Sequence, residues 1–339
     1  MLKCRSDDNL KRTNLFSLVT GIRIMKLKAA LIGLVGAVSI QALSGSAGAL
    51  ELTWNPKQDI VGREHRLVAK KEYTFVDLGE QYNFGFNELV SANPGVDAWL
   101  PAEGDQIVIP GRFILPPGLR NGILINLAEY RLYYFQPDKK RLYTVPIGIG
   151  TVDFPTPIMD TKIVTRMKNP TWYPPESIRQ RQLDEYGEQL PRAVPAGPDN
   201  PLGAYAFKLD ADSYLIHGTN KGVGIGMRVS HGCIRLYNWD IKQMMSMVPD
   251  NTPVKVINQS VKLAVDGGKL WMEVHAEADV TEQQLREEYA YQLLKLQSTG
   301  VSVMVDEEKV TKALAELTGL PSPVGELQPS LAASMSSGS

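Results

Sequence analysis

From Gly122 to about Ile257 the chain is written in short β-forming runs. Ile123-Leu124-Ile125-Asn126 and Arg131-Leu132-Tyr133-Tyr134-Phe135 flank a turn at Ala128-Glu129. Leu142-Tyr143-Thr144-Val145-Pro146-Ile147 follows, then Gly148 and Gly150. β-branched and aromatic residues at this spacing, punctuated by glycine and proline, predict a β-sandwich or barrel-like sheet. The whole chain therefore reads as α+β, mainly β. Its 339 residues allow two or three domains at roughly 100–200 residues each. A hydrophobic share of 43% against 22% charged is enough for each to bury a core, and argues against a polytopic membrane protein.

Ahead of the sheet the chain changes character twice. From Met25 it reads Met-Lys-Leu-Lys, an apolar run from Ala29 to Ile40, then small residues ending Ala47-Gly48-Ala49. A basic start, a short apolar stretch and an A-x-A site predict a secretory signal peptide over 1–49, with Met25 as the true start. The apolar run is too short to span a bilayer, which takes about 20 residues, so no membrane span is expected in the mature protein. The first 49 residues carry seven basic and two acidic side chains, against 36 and 37 in the whole chain, so the net charge moves from −1 to −6 on cleavage. A nucleic-acid partner would call for a basic surplus, and none exists. Cleavage also removes Cys4 and leaves Cys233 as a lone exported thiol, an intermolecular or reactive one.

Residues 64–111 form a second unit. Thr74 with Asp77 three residues on predicts a capped short helix. A second helix is expected from Phe86 to Ala92, stopping at Asn93-Pro94-Gly95. Gln106-Ile107-Val108-Ile109 reads as a strand closed by Pro110, with an earlier strand near His65–Ala69. The stretches Asn87-Glu88-Leu89-Val90-Ser91-Ala92-Asn93-Pro94 and Gly104-Asp105-Gln106-Ile107-Val108-Ile109-Pro110 resemble a LysM domain. That resemblance implies binding to N-acetylglucosamine-containing glycans such as peptidoglycan.

Within the sheet region (120–258), seven of the 22 prolines fall between Pro170 and Pro201, which reads as a lid or substrate-facing loop. Asn238 is the expected cap of a helix from Trp239 to about Met247. Residues 259–320 read as a hairpin, Val261 to His275 turning at Asp266-Gly267-Gly268, and two helices, Thr281 to Gln297 and Asp306 to Leu317. The Ser-, Pro- and Gly-rich residues 321–339 read as a disordered tail.

The chemistry gathers in one segment. Ile216-His217-Gly218-Thr219-Asn220 is followed by a spacer with Gly222, Gly224 and Gly226, then Ser230-His231-Gly232-Cys233-Ile234-Arg235. Two of the four histidines and the lone mature thiol lie within 17 residues. The glycines let the chain return so that His217 meets Cys233 from a neighbouring strand. A thiol with a pKa of about 8.5 is only a few per cent thiolate at neutral pH, so an imidazole that takes its proton makes it a nucleophile. Gly232 clears space for a substrate carbonyl and leaves the N–H groups of Gly232 and Cys233 for an oxyanion. Arg235, two residues past Cys233, shares its face if the stretch is extended and can hold a carboxylate bidentately. Two other readings stay open on these residues alone: a buried inert thiol, or zinc held by His217, His231 and Cys233. The second lacks a C-x-x-C or H-x3-5-H pair and a fourth ligand, so no metal is expected.

His217-Gly218, Ser230, His231, Gly232, Cys233 and Arg235 closely resemble the active-site motif of the L,D-transpeptidase (YkuD-type) family. The layout as a whole is similar to its ErfK/YbiS/YcfS/YnhG branch. The resemblance implies Cys233 as nucleophile, His217 as proton acceptor and donor, the Gly218 carbonyl orienting the imidazole, and His231 shaping the substrate site. It further implies a Gram-negative periplasmic enzyme acting on peptidoglycan tetrapeptide stems. Cys233 would release D-Ala from diaminopimelate and pass the acyl group to an amine, without cofactor or ATP. The amine would belong to a Braun-type lipoprotein or to a neighbouring stem, and carbapenems would inhibit. Two alternatives use the same sequence: a Cys–His peptidoglycan hydrolase or carboxypeptidase, and a non-catalytic glycan-binding protein.

Overall fold

The computed structural model describes residues 49–70, 73–211, 213–276 and 280–328. The expected signal peptide lies outside them, apart from Ala49. At the centre is a nine-stranded sheet. Its order runs Leu50–Thr53, Arg141–Pro146, Arg131–Gln136, Gly122–Asn126, Pro253–Ile257, Met159–Lys168, Tyr205–Leu209, Leu215–His217 and Ile234–Arg235. The first strand precedes the 64–111 unit in sequence yet pairs with Arg141–Pro146, so the sheet draws on more of the chain than 120–258.

The ten-residue strand Met159–Lys168 decides the shape. Its first four residues pair with Pro253–Ile257. After a register shift between Ile163 and Thr165, the remainder pairs with Tyr205–Leu209. A bulge of this kind bends a strand and sharpens its twist. The two halves of the sheet thus curl onto each other around one core: Ile123, Ile125, Leu132, Val145 and Val254 from one half, Ile163, Phe207, Leu209, Ile216 and Ile234 from the other. The α+β, mainly β expectation agrees with this architecture.

The opposite face of the first half is covered too. Leu124, Tyr133, Phe135 and Leu142 pack with Trp54, Phe75, Leu78, Leu89 and Ile107. Burial on both faces explains why the runs at 122–136 are apolar almost throughout rather than alternating. The covering unit is a βααβ arrangement: His65–Val68 pairs antiparallel with Gln106–Ile109, with helices Phe75–Tyr82 and Phe86–Ala92 between. Thr74 and Asp77 form a reciprocal capping box at the first helix.

Three local expectations need correcting. The Pro170–Pro201 stretch contains a helix, Glu176–Tyr186, with no buried residue. It stands on the left-handed stop at Gly187 (φ 71°) and on the i,i+4 pairs Gln180–Asp184 and Arg181–Glu185, so it leaves no apolar period to read. Asn238 is the first residue of the helix Asn238–Met247 rather than its cap, because its side chain donates to Thr219 O at 2.6 Å. The segment after Pro321 does not start a disordered tail: Ser322–Leu327 is a strand. It pairs with both Lys269–Val274 and Val303–Val305. Buried Val324 anchors it, and Met304 O comes so close to Gly325 that a Cβ there would lie 2.5 Å away. Two apolar residues, Val324 and Leu327, in a Ser/Pro/Gly-rich background leave too little signal. Residues 329–339 lie outside the described residues. The hairpin and the two following helices form as read, with Thr281 and Gln284 in a capping box.

Candidate active site

His217 ends the strand Leu215–His217, and Arg235 ends Ile234–Arg235, the last strand of the sheet. The two strands run parallel, with Ile216 opposite Ile234 and His217 opposite Arg235. Residues opposite one another share a face, as do residues two apart. His217 and Arg235 therefore project from one face, with Cys233 immediately before the second strand, while Ile216 and Ile234 enter the core. The spacer makes a parallel crossover, not a hairpin: after a 3-10 turn at Gly222–Gly224 it runs through Arg228–Ser230 beside Ile149–Gly150.

The imidazole is 3% exposed. Its Nδ1 lies 2.6 Å from the Gly218 carbonyl oxygen. A carbonyl can only accept, so Nδ1 carries the hydrogen and Nε2 is left free to take a proton. Burial, followed by the nearby Arg235 charge, lowers the His217 pKa to about 4, so the ring is neutral at physiological pH. Cys233 is half-buried. Burial pushes its thiol up, while a backbone hydrogen bond from Leu215 and the Arg235 charge draw it down in part. Its Sγ lies 3.8 Å from Ser213 O.

The loop before the cysteine is braced from inside. Ser230, buried at 2% exposure, donates its hydroxyl to Cys233 O at 2.5 Å and accepts from Gly232 N–H at 3.1 Å. Gly232 N–H is thus engaged by the Ser230 hydroxyl in this structure. Gly232 has φ +95°, and a Cβ there would sit 2.9 Å from the Tyr214 ring, so both backbone and space demand glycine. Gly218 is equally enforced, since a Cβ would lie 2.1 Å from Asn238 Oδ1. His231 is exposed, with its ring centroid 4.7 Å from that of Phe154. Burial, then Arg181 and Arg235, hold its pKa below the ordinary value. Arg235 has a buried Nε without a hydrogen-bond partner.

Sequence reasoning missed Thr156, Phe154 and Arg181. Thr156 accepts from Gly150 N–H at 2.9 Å and donates to Gly232 O at 2.9 Å, tying a loop 76 residues away to the loop that precedes Cys233. Arg181, from the exposed helix, lies 5.4 Å from the Phe154 ring centroid. No local pattern announces these contacts, because each is made only by the folded chain.

Among the described residues, one group of side chains is close enough to share a metal ion: Glu129, Glu273 and His275. Lys262 Nζ lies 2.6 Å from Glu129 Oε2 and 2.6 Å from Glu273 Oε1. The ammonium already occupies the space between those two carboxylates, and the cluster reads as a buried ion network.

Residues 120–256 match the YkuD family model, described as the L,D-transpeptidase catalytic domain. The probable L,D-transpeptidase YbiS of Escherichia coli (strain K12) is 40% identical over 246 residues, covering 71% of this chain and 80% of YbiS. This chain belongs to the L,D-transpeptidase family. The probable L,D-transpeptidase ErfK/SrfK of the same strain is 47% identical over 197 residues, covering 58% of this chain. The chain spans 63% of the length of that relative. A solved L,D-transpeptidase catalytic domain from E. faecium, acylated by ertapenem, aligns with a TM-score of 0.31 at 20% identity, over 41% of this chain and all of that one. Among the described residues no helix is long and apolar enough to cross a membrane.

Proposed function

We propose that this L,D-transpeptidase acts on peptidoglycan in the periplasm, through a thioester on Cys233. The observation that carries the reading is the buried His217 ring, pinned through Nδ1 to Gly218 O at 2.6 Å on the strand that pairs with Ile234–Arg235, directly after Cys233. Nε2 takes the thiol proton as Sγ attacks the diaminopimelate carbonyl of a tetrapeptide stem. The Cys233 N–H stabilises the oxyanion. His217 gives the proton to departing D-Ala, then takes one from the incoming amine, which displaces Sγ. One amide replaces another, so no cofactor is required. Arg235, with its unsatisfied Nε, holds a stem carboxylate, and His231 on Phe154 forms the wall of the site. The amine comes from a lipoprotein lysine or from diaminopimelate on a second stem.

The 64–111 unit presents Trp99, 58% exposed and tilted against Phe86 with 5.1 Å between ring centroids, an exposed aromatic face suited to a sugar ring. The same Sγ opens the strained carbonyl of a carbapenem. The deciding experiment incubates the protein with a tetrapeptide muropeptide and an amine acceptor and weighs the products. Transpeptidation yields the new amide and free D-Ala, both lost in Cys233→Ala. Hydrolysed stems alone would assign the site to a hydrolase.

A further inference from the structure

The βααβ unit packs directly onto the spacer that joins the catalytic histidine to the cysteine. The helix Phe86–Ala92 opens with N–H groups that have no partner inside the helix. Phe86 N–H donates to Ile225 O at 3.2 Å and Asn87 N–H to Gly226 O at 3.4 Å. The two backbones meet at a pair of glycines. A Cβ on Gly85 would lie 2.6 Å from Gly226 Cα, and one on Gly226, at φ +81°, would lie 2.4 Å from Gly85 Cα. On its other side the spacer is held by the catalytic sheet: Gly226 N–H donates to Ile147 O and Ile149 N–H to Met227 O, each at 3.0 Å.

The helix start is fixed in turn from the sheet. Glu88 Oε2 accepts from Gly85 N–H at 2.6 Å. The same carboxylate takes Arg131 side-on, at 2.6 and 2.9 Å. Arg131 is fully buried between the rings of Phe84 and Phe113. A continuous path therefore runs from the sheet through Arg131, Glu88, Gly85 and Gly226 to the strand Arg228–Ser230 that delivers Cys233.

We propose that Gly85, held by Glu88, is a positioning residue of the transpeptidase reaction, setting the 221–229 spacer and through it the placement of Cys233 against His217. The βααβ unit is then part of the catalytic apparatus and not only a tether for glycan. This rests on the roles proposed above for His217 and Cys233.

The test uses the full chain and a tetrapeptide donor without its disaccharide, so that loss of glycan capture has no effect on the reading. Gly85→Ala drives a methyl group into Gly226. Its kcat is expected to fall by about tenfold to a hundredfold, with KM little changed. Iodoacetamide alkylation of Cys233, followed by peptide mass spectrometry, slows in parallel. Val68→Ala, exposed on the same unit, leaves both unchanged. A folded Gly85→Ala protein with wild-type kcat and alkylation rate overturns the proposal. Should Gly85→Ala fail to fold, amide hydrogen exchange on the wild type decides. The Phe86 and Asn87 amides must be protected together with that of Gly226, and exchange more than about a hundredfold faster would refute the interlock. Turnover that survives Cys233→Ala would remove the thioester reading itself. Turnover lost in Cys233→Ala but intact in Gly85→Ala removes only the present inference.

Discussion

Burial shifts the proton affinities of His217 and Cys233 in opposite directions. The imidazole falls to about 4 and the thiol rises, so both groups are neutral at rest, and in the proposed reaction the thiolate forms only as attack begins. In the proposed reaction His217 therefore acts as a general base rather than as half of a standing ion pair. Asp240 is shifted further. Burial pushes its carboxyl up to about 8, although the Asn83 hydrogen bond draws it down in part. Between its ordinary value of 3.8 and about 8 the folded state holds a proton that the unfolded state has released, so this group's contribution to stability falls as pH rises through that window. Asp240→Asn, which cannot ionise, is expected to raise the melting temperature, with a wider gap from wild type at pH 8 than at pH 5. The gain at neutral pH should be about 1–3 kcal/mol, and an equal gap at both values would show that Asp240 does not titrate as described. In the sequence Asp240 is an ordinary first-turn acid; only burial, which no local pattern encodes, makes it a protonated one. Cys233 and His217, by contrast, were legible, because their spacing and flanking glycines belong to a contiguous segment.

Capping residues made the elements readable where they lie within one or two turns of chain. Thr74 with Asp77 and Thr281 with Gln284 mark helix starts by a local exchange of hydrogen bonds. The strand Ser322–Leu327 carries no such mark, since its pairing partners lie 20 to 57 residues upstream. Its removal tests the correction. Truncation after Pro321 strips the strand that joins Lys269–Val274 to Val303–Val305 and exposes Val310, Leu314 and Leu270 from the same cluster. We expect the truncated protein to lose its C-terminal sheet, seen as rapid proteolysis beyond Val261 with the catalytic sheet retained. A truncated protein as resistant as the full chain would return the segment to the status of a dispensable tail.

Across the whole molecule, one buried network fastens three parts of the chain. Lys262 of the hairpin bridges Glu129 of the catalytic sheet and Glu273. Tyr133 OH donates to Glu129 Oε2 at 2.8 Å, and Ile114 N–H, leaving the βααβ unit, donates to Glu273 Oε2 at 2.5 Å. Removing the Lys262 ammonium leaves two buried carboxylates facing each other. Lys262→Met should therefore cost about 3–5 kcal/mol, measured by urea denaturation; a loss below about 1 kcal/mol would show that the network is not what holds the parts together. The amino-acid sequence by itself determined the β-rich class, the βααβ order, most helix starts and the His–Cys segment, because each rests on contacts within a few residues or on a contiguous motif. Tertiary structure alone decided the curl of the sheet at Ile163, the docking of Gly85 on Gly226, the Thr156 clamp, the protonation of Asp240 and the balance of charge around Lys262. Those depend on which distant groups meet and on how much water remains between them, and neither is written in local order.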